Sequence, residues 1–164
     1  MTDKDRFSIV RSAAIDAPPE TVFGFIDDFH EWVLWSPWEK VDVELQKTYG
    51  GPEAGKGATY EWVGKKTGHG RMEILSSTPA ALVEIDLQFF KPFKQRNRTT
   101  FALASEAGGT RVTWTMTGAH NLMSKVMGLL INMDKMVGKD FEQGLANLNT
   151  VAQAETQRLR QAAG

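Results

Sequence analysis

The feature that most constrains this fold is a strict alternation of apolar and polar residues through the middle of the chain. Between residues 38 and 119, apolar side chains recur at every second position in six successive runs, separated by breaks that contain Gly or Pro. The clearest run is 83–89, where Val, Ile, Leu and Phe alternate with Glu, Asp and Gln. A period of two sends alternate side chains to opposite faces of a strand. The pattern therefore predicts six antiparallel strands with one dry and one wet face, the first of them at 41–46.

The segments on either side of this region have other periodicities. Residues 6–16 are predicted to form a first strand, and residues 18–36 two short helices, since two prolines open the first of them. From 122 to 152 apolar residues step by threes and fours, which predicts a long C-terminal helix with Asn121 as its N-cap. That helix is the only predicted element large enough to cover the dry face of the sheet.

Length, net charge and the absence of Cys exclude several classes of protein. The 164 residues have ordinary globular composition and suit one domain, which we expect to span 1–164. A net charge of -1 argues against nucleic-acid binding, which needs a basic field. The absence of Cys excludes disulfides, a Cys nucleophile and thiolate metal sites. The polar N-terminus lacks a signal peptide and no apolar run is long enough to span a bilayer, so we expect a cytoplasmic protein without stable membrane insertion.

Four stretches carry a resemblance to a known family. They are IDAPPETVFGFIDDFHEWVLWSPW at 15–38, GKGATYEWVG at 55–64, GGTRVTWTM at 108–116 and MDKMVGKDFEQGLANL at 133–148. With the order of elements, they resemble the START-like superfamily, also called SRPBCC, and its polyketide cyclase/dehydrase branch. The resemblance implies an α+β helix-grip fold, in which a curved antiparallel β-sheet of about seven strands, in the order β-α-α-β6-α, wraps around a long C-terminal helix. Similar proteins enclose a deep apolar cavity and include lipid carriers, aromatase/cyclases, pollen allergens and activators of a heat-shock ATPase.

On such a fold the apolar strand positions would face the helix, and we predict that they line a ligand-sized cavity. The predicted lining is Tyr60, Trp62, Met72, Ile74, Leu87, Phe89, Phe101, Trp114 and Met116 from the strands, with Met133, Met136, Val137 and Phe141 from the helix. Alternation alone describes a solid core equally well. The resemblance, together with the flexible thioethers of Met, favours a cavity. We therefore expect a small hydrophobic molecule as partner, bound by a monomer or a homodimer.

The sequence contains no motif of a known catalytic or metal site. His30-Glu31 lacks the second His of the HExxH zinc motif, and His69 lies in a Gly-His-Gly turn. We predict no metal and no cofactor. If the chain is an enzyme, Tyr60, Asn97 and His120 are the candidates for moving protons, because their parity points them inward.

Three functions stay open on this evidence. The favoured one is binding of a small hydrophobic ligand of lipid, polyketide or aromatic type. The second is a cyclase/dehydrase-type enzyme that acts on a polyketide-like substrate. The third is a co-chaperone-like interaction protein, as the resemblance to the ATPase activators implies.

Two segments carry further expectations. The basic stretch 91–98 is predicted to be a solvated hairpin, with attraction of an anionic head group or a membrane surface as the alternative. Residues 122–133 are apolar on nearly all faces, and Gly128 and 132–134 are weak helix formers. These features predict a helix in two parts. The first part would be a gate over the cavity, a helix tucked under 32–38, or a subunit interface.

Overall fold

The structure is a computed structural model that describes residues 6–39, 44–119 and 130–163, with the backbone alone at 130–133. The strands are β1 Arg6–Ile15, β2 Gln46–Gly50, β3 Thr59–Gly64, β4 Gly68–Thr78, β5 Leu82–Lys91, β6 Gln95–Glu106 and β7 Gly109–Ala119. The helices are α1 Pro19–Asp27, a 3-10 helix Phe29–Leu34, and α2 Leu130–Ala163. This order confirms the predicted succession of one strand, two short helices, six strands and a long helix.

The seven strands form one antiparallel sheet in the spatial order β1-β7-β6-β5-β4-β3-β2. From β2 to β7 each strand pairs with its neighbour in sequence, which is a simple meander. The exception is β1, which pairs with the last strand, from Arg6 opposite Ala119 to Ile15 opposite Thr110. With α2 as the long C-terminal helix, this architecture confirms the predicted helix-grip α+β fold.

Glycines in α2 mark where the helix comes closest to the rest of the protein. A Cβ added at Gly138 would lie 2.1 Å from Nη2 of Arg11, and that guanidinium donates to the Asp134 carboxylate with an Nη2–Oδ2 distance of 3.0 Å. A Cβ added at Gly144 would lie 2.9 Å from Cζ3 of Trp114. The more extensive backbone contacts of α2 are with β1, α1 and the 3-10 helix. The helix therefore leans on the β1 side of the sheet rather than on β3–β5.

Aromatic rings fill the core where α2, the 3-10 helix and β6–β7 meet. Trp35, Phe101, Trp114 and Phe141 are each 1% exposed or less. The rings of Trp114 and Phe141 stack with centroids 4.0 Å apart and planes 5° apart. Trp32 and Trp35 donate their indole N–H groups to the carbonyls of α1, so the 3-10 helix is locked against α1. These rings bury this end of the core, and Trp114 lies where it meets α2.

Three expectations need correction or fall outside the description. The second strand begins at Gln46 rather than at 41, because Glu44 lies in a turn, and 40–43 are outside the described residues. The helix does not break at 132–134: it is continuous from Leu130, and the Arg11 guanidinium holds Asp134 in place on it. Asn121, Gly128 and the rest of the segment proposed as a gate up to residue 129 lie outside the described residues.

The basic stretch 91–98 forms the β5–β6 hairpin. Its tip is Pro92–Lys94, with Phe93 exposed. Arg96 forms a bidentate pair with Asp86, and Arg98 bonds to Glu84, both across the outer face of the hairpin. Two of the four cations are thus neutralised by the neighbouring strand, as in a solvated hairpin.

Candidate ligand-binding surface

The concave face of the sheet, called the inner face below, carries its side chains in rows that run across the strands. The strand register defines four such rows. From the hairpin end toward the core end, they are Gln95, Phe89, Gly70, Trp62 and Lys47; then Phe7, Gly118, Asn97, Leu87, Met72, Tyr60 and Tyr49; then Ile9, Met116, Thr99, Ile85 and Ile74; and last Arg11, Trp114, Phe101, Val83 and Ser77. Most members are apolar, and the polar ones are few and localised. Such a surface is typical of small-molecule sites.

Burial of the described side chains on the inner face falls from the core end toward the hairpin end. In the core-end rows Ile74, Ile85 and Phe101 are fully buried. In the row nearest the hairpin Trp62 and Phe89 are only half-buried, and so is Leu87 in the next row, although Tyr60 and Met72 of that row are buried. Large apolar side chains are thus accessible where α2 does not lean on the sheet.

The structure places most of the predicted lining residues on or against this face. Buried members are Tyr60, Met72, Ile74, Phe101, Trp114, Met116 and Phe141, and partly buried members are Trp62, Leu87, Phe89 and Val137. The prediction for Met136 is wrong, because its side chain is 61% exposed. It lies five residues before Phe141, which puts it roughly 140° around the helix from the buried stripe. The side chains of Met133 and His120 lie outside the described residues.

A buried polar cluster lies beside the inner face on the β2–β3 side. Tyr60 donates its hydroxyl to Oε1 of Glu39 at 3.2 Å, and Lys47 forms an ion pair with the other carboxylate oxygen. The Glu39 side chain is only 6% exposed. Burial, reinforced by the Glu39 carboxylate, raises the pKa of Tyr60 well above its usual range. Tyr60 is therefore a neutral hydrogen-bond donor at physiological pH and not a base.

Sequence reasoning missed Glu39 and Lys47. Lys47 carried a signal, because it continues the parity of the apolar positions 43 and 45 and so falls on the inner face. Glu39 had none, since it follows the Trp-Ser-Pro-Trp turn and belongs to no periodic run.

A second group of polar atoms lies in the middle of the inner face, on β6 and β7. Asn97, a predicted candidate, is 6% exposed; its Oδ1 accepts from Gln95 at 2.9 Å, and its Nδ2 reaches only the thioether of Met116 at 3.7 Å. A thioether is a weak acceptor. The hydroxyl of Thr99 and the indole N–H of Trp114 are buried and have no hydrogen-bond partner among the described residues. Sequence reasoning placed the Trp114 ring on this face, and Thr99 shares the parity of Phe101, but it singled out neither polar atom.

The histidines that the structure describes lie apart from these groups. His69 bonds to Glu61 with an Nε2–Oε2 distance of 2.7 Å, and His30 bonds to Asp28. No cluster of three or more metal-binding side chains occurs within the described ranges. No helix in those ranges is both long and apolar enough to cross a membrane.

Comparison with known proteins gives a family and a set of similar structures. The family model described as polyketide cyclase/dehydrase and lipid transport matches residues 6–153. No curated protein sequence matches the chain. The solved structures that match are similar in fold at low identity.

Three of these structures illustrate the range. Protein SA2116 of Staphylococcus aureus, of unknown function, has a TM-score of 0.66 at 14% identity, over 93% of this chain and 96% of that one. Ara h 8.0201 has a TM-score of 0.63 at 11% identity, over 91% and 99%. DynU16, a protein in the dynemicin biosynthetic locus, has a TM-score of 0.61 at 13% identity, over 91% and 48%. At these identities the likeness establishes the fold alone.

Proposed function

The chain belongs to the polyketide cyclase/dehydrase and lipid transport family, and we propose that it binds a small hydrophobic molecule of lipid, polyketide or aromatic type between the inner face of the sheet and α2. One observation carries the proposal: the apolar side chains at the core end of the inner face are fully buried, whereas Trp62, Phe89 and Leu87 toward the hairpin end are only half-buried. Covering the half-buried set removes apolar area from water, which favours binding by about 25 cal/mol per Å² before entropic costs.

The position of α2 supports this location for the ligand. Because the helix leans on β1, Phe141 and Gly144 pack on Trp114 of β7 at the core end. Over β3–β5 the inner face ends in the rings of Trp62 and Phe89, which meet edge to face with centroids 5.8 Å apart. We place the apolar body of the ligand against these two rings.

Binding without chemistry fits the polar groups better than catalysis does. Tyr60 is held protonated, Asn97 is an amide that does not titrate, and Glu39 is already paired with Lys47 and Tyr60. A cyclase/dehydrase would need a group free to take or give a proton near neutral pH. We therefore propose a carrier or sensor, and we expect Tyr60→Phe to leave ligand affinity nearly unchanged.

We propose further that residues 1–164 act as one domain in the cytoplasm. The family model spans most of the chain, and a sequence without Cys suits a reducing compartment.

The test uses the purified chain. Native mass spectrometry, followed by organic extraction, identifies any molecule that co-purifies. Titration with the neutral dye Nile red should saturate near one per chain and change the Trp fluorescence. Trp62→Ala should weaken dye binding severalfold, because it removes a wall of the site. Val63→Ala is the matched control, since Val63 is the next residue on β3 and 46% exposed on the opposite face. No binding, or equal loss in both variants, would refute the proposal.

A further inference from the structure

We infer that Asn97, Thr99 and Trp114 form a donor strip on the inner face that binds an acceptor oxygen, such as a carbonyl, of a neutral ligand. The inference rests on the proposed function and deepens it. It assigns the polar end of the ligand to three named side chains, and it predicts a ligand class distinct from fatty acids and other anions.

The strand register brings the three side chains together. Thr99 on β6 lies directly opposite Met116 on β7. Asn97 is the next inner-face residue along β6, and Trp114 is the next along β7, diagonal to Thr99. Thr99 has each of the other two as a same-face neighbour, with Cβ atoms roughly 5–8 Å apart, whereas Asn97 and Trp114 lie two rows apart. Thr99 is therefore the centre of the strip. All three side chains are less than 9% exposed.

Tryptophan shows how unusual the strip is in the part of the chain that the structure describes. The other four Trp side chains each donate their indole N–H to a protein oxygen: Trp32 to Ile26, Trp35 to Phe25, Trp38 to Asp140 and Trp62 to Thr67. Trp114, the remaining one, has no acceptor among the described residues. Within the described residues, Trp114 on this strip is thus the one indole N–H without an acceptor.

Threonine shows the same contrast. The buried hydroxyls of Thr110 and Thr156 donate to the carbonyl oxygens of Ala17 and Ala152 at 2.7 and 2.8 Å. The equally buried hydroxyl of Thr99 has no partner in the described part of the chain. A buried polar group left unsatisfied destabilises a protein, so such groups are usually retained for a reason. Two of them in adjacent rows, beside an amide whose NH₂ reaches only sulfur, favour a ligand oxygen as the partner.

The charges on the inner face favour a neutral ligand. In the described strands, Arg11 and Lys47 are the two cations with inner-face register, and each is already paired, with Asp134 and with Glu39. A buried carboxylate ligand would need a cation to offset its desolvation. A carbonyl oxygen needs only donors, which the strip supplies.

The experiment compares three probes of nearly equal shape: 2-acetylnaphthalene, its hydrocarbon analogue 2-isopropenylnaphthalene, and the anion 2-naphthoate. Affinities are measured by displacement of Nile red. The wild-type protein should bind the ketone about tenfold more tightly than the hydrocarbon, the effect of roughly one hydrogen bond. It should bind the naphthoate most weakly.

Variants at Thr99 test the assignment. Thr99→Val should bind the hydrocarbon as the wild type does but lose most of the preference for the ketone, and Thr99→Ser should keep that preference. The melting temperature of unliganded Thr99→Val should not fall, because its hydroxyl has no partner to lose. Thr110→Val is the matched control: it should lower the melting temperature by several degrees, since it leaves the Ala17 carbonyl unsatisfied, and keep the preference for the ketone.

Results that differ from these expectations would refute the donor strip, the neutral ligand class or the proposed function. Equal binding of ketone and hydrocarbon by the wild type, or an unchanged preference in Thr99→Val, would refute the donor strip while the proposed function stands. Tightest binding of naphthoate would refute the neutral ligand class. Failure of all three probes and of Nile red would refute the proposed function itself, and the donor strip with it.

Discussion

The contact between Phe141 and Trp114 should contribute strongly to the attachment of α2 to the sheet, and Phe141→Leu tests this. Phe141 is 1% exposed, stacks on Trp114 at 4.0 Å and meets the edge of Trp38 at 6.1 Å. Leu is nearly as apolar as Phe, so the loss comes mainly from the two ring contacts and the space left behind. Each aromatic pair is worth about 0.5–1.5 kcal/mol beyond its buried area. We expect a loss of about 2 kcal/mol in the free energy of unfolding, or roughly 4–8 °C in melting temperature for a chain of this length.

Urea unfolding monitored by Trp fluorescence and by far-ultraviolet circular dichroism measures this loss. Phe93→Leu is the control, because Phe93 is 47% exposed at the tip of the β5–β6 hairpin and no ring contact of it occurs among the described residues. It should change the free energy by less than about 0.5 kcal/mol. A double-mutant cycle with Trp114→Leu should give a coupling of about 1 kcal/mol. If Phe141→Leu is no more destabilising than Phe93→Leu, the helix is held by other contacts and our account of its position fails.

Three further predictions concern stability. Burial raises the pKa of Asp27, with the nearby Asp28 adding to it and the hydrogen bond from Ser77 opposing it, so the folded state disfavours the ionised form. Asp27→Asn should therefore unfold at a higher urea concentration than the wild type at pH 7. This gain in stability should vanish below pH 3.8, the ordinary pKa of an Asp side chain; a difference that stays constant across pH would contradict burial as the cause. Gly24→Ala in α1 should stabilise by about 0.5–1 kcal/mol in the same titration, because its added Cβ meets nothing within 4 Å. Gly144→Ala should instead destabilise by about 1–3 kcal/mol, since its Cβ would lie 2.9 Å from Trp114; equal effects of the two glycine substitutions would mean that close packing does not require Gly144.

The fold was predictable because one-sided burial leaves a regular trace in the sequence. A strand with a dry and a wet face must alternate, so the rows through Met72 and Phe101 could be assigned to the inner face without coordinates. The buried face of α2 was harder to assign, because consecutive residues of a helix such as Met136 and Val137 lie about 100° apart around its axis. Met136 is apolar and lies next to Val137 in sequence, so it was wrongly assigned to the buried face of α2.

The polar part of the site was not predictable for a different reason. Thr99 and Thr110 are both inward-facing Thr residues on neighbouring strands, and the sequence offers nothing to separate them. Only the three-dimensional neighbours show that one hydroxyl meets the Ala17 carbonyl and the other meets no acceptor among the described residues. The same holds for Glu39, whose burial beside Tyr60 depends on a turn between distant elements. Hydrogen-bond satisfaction is a tertiary property, whereas strand parity is a local one.

The pairing of the first strand with the last has a consequence for how the chain is made. During synthesis β1 emerges first, but its partner β7 lies about a hundred residues later, so β1 stays an unpaired edge while the rest of the sheet is translated. The strands β2–β7 can form as successive hairpins, each of which closes a short loop. Pairing β1 with β7 closes a much longer loop and therefore costs more conformational entropy. The sheet is therefore completed only after Ala119 has been made, and a ribosome that stalls before β7 leaves a nascent chain whose β1 has no strand to pair with.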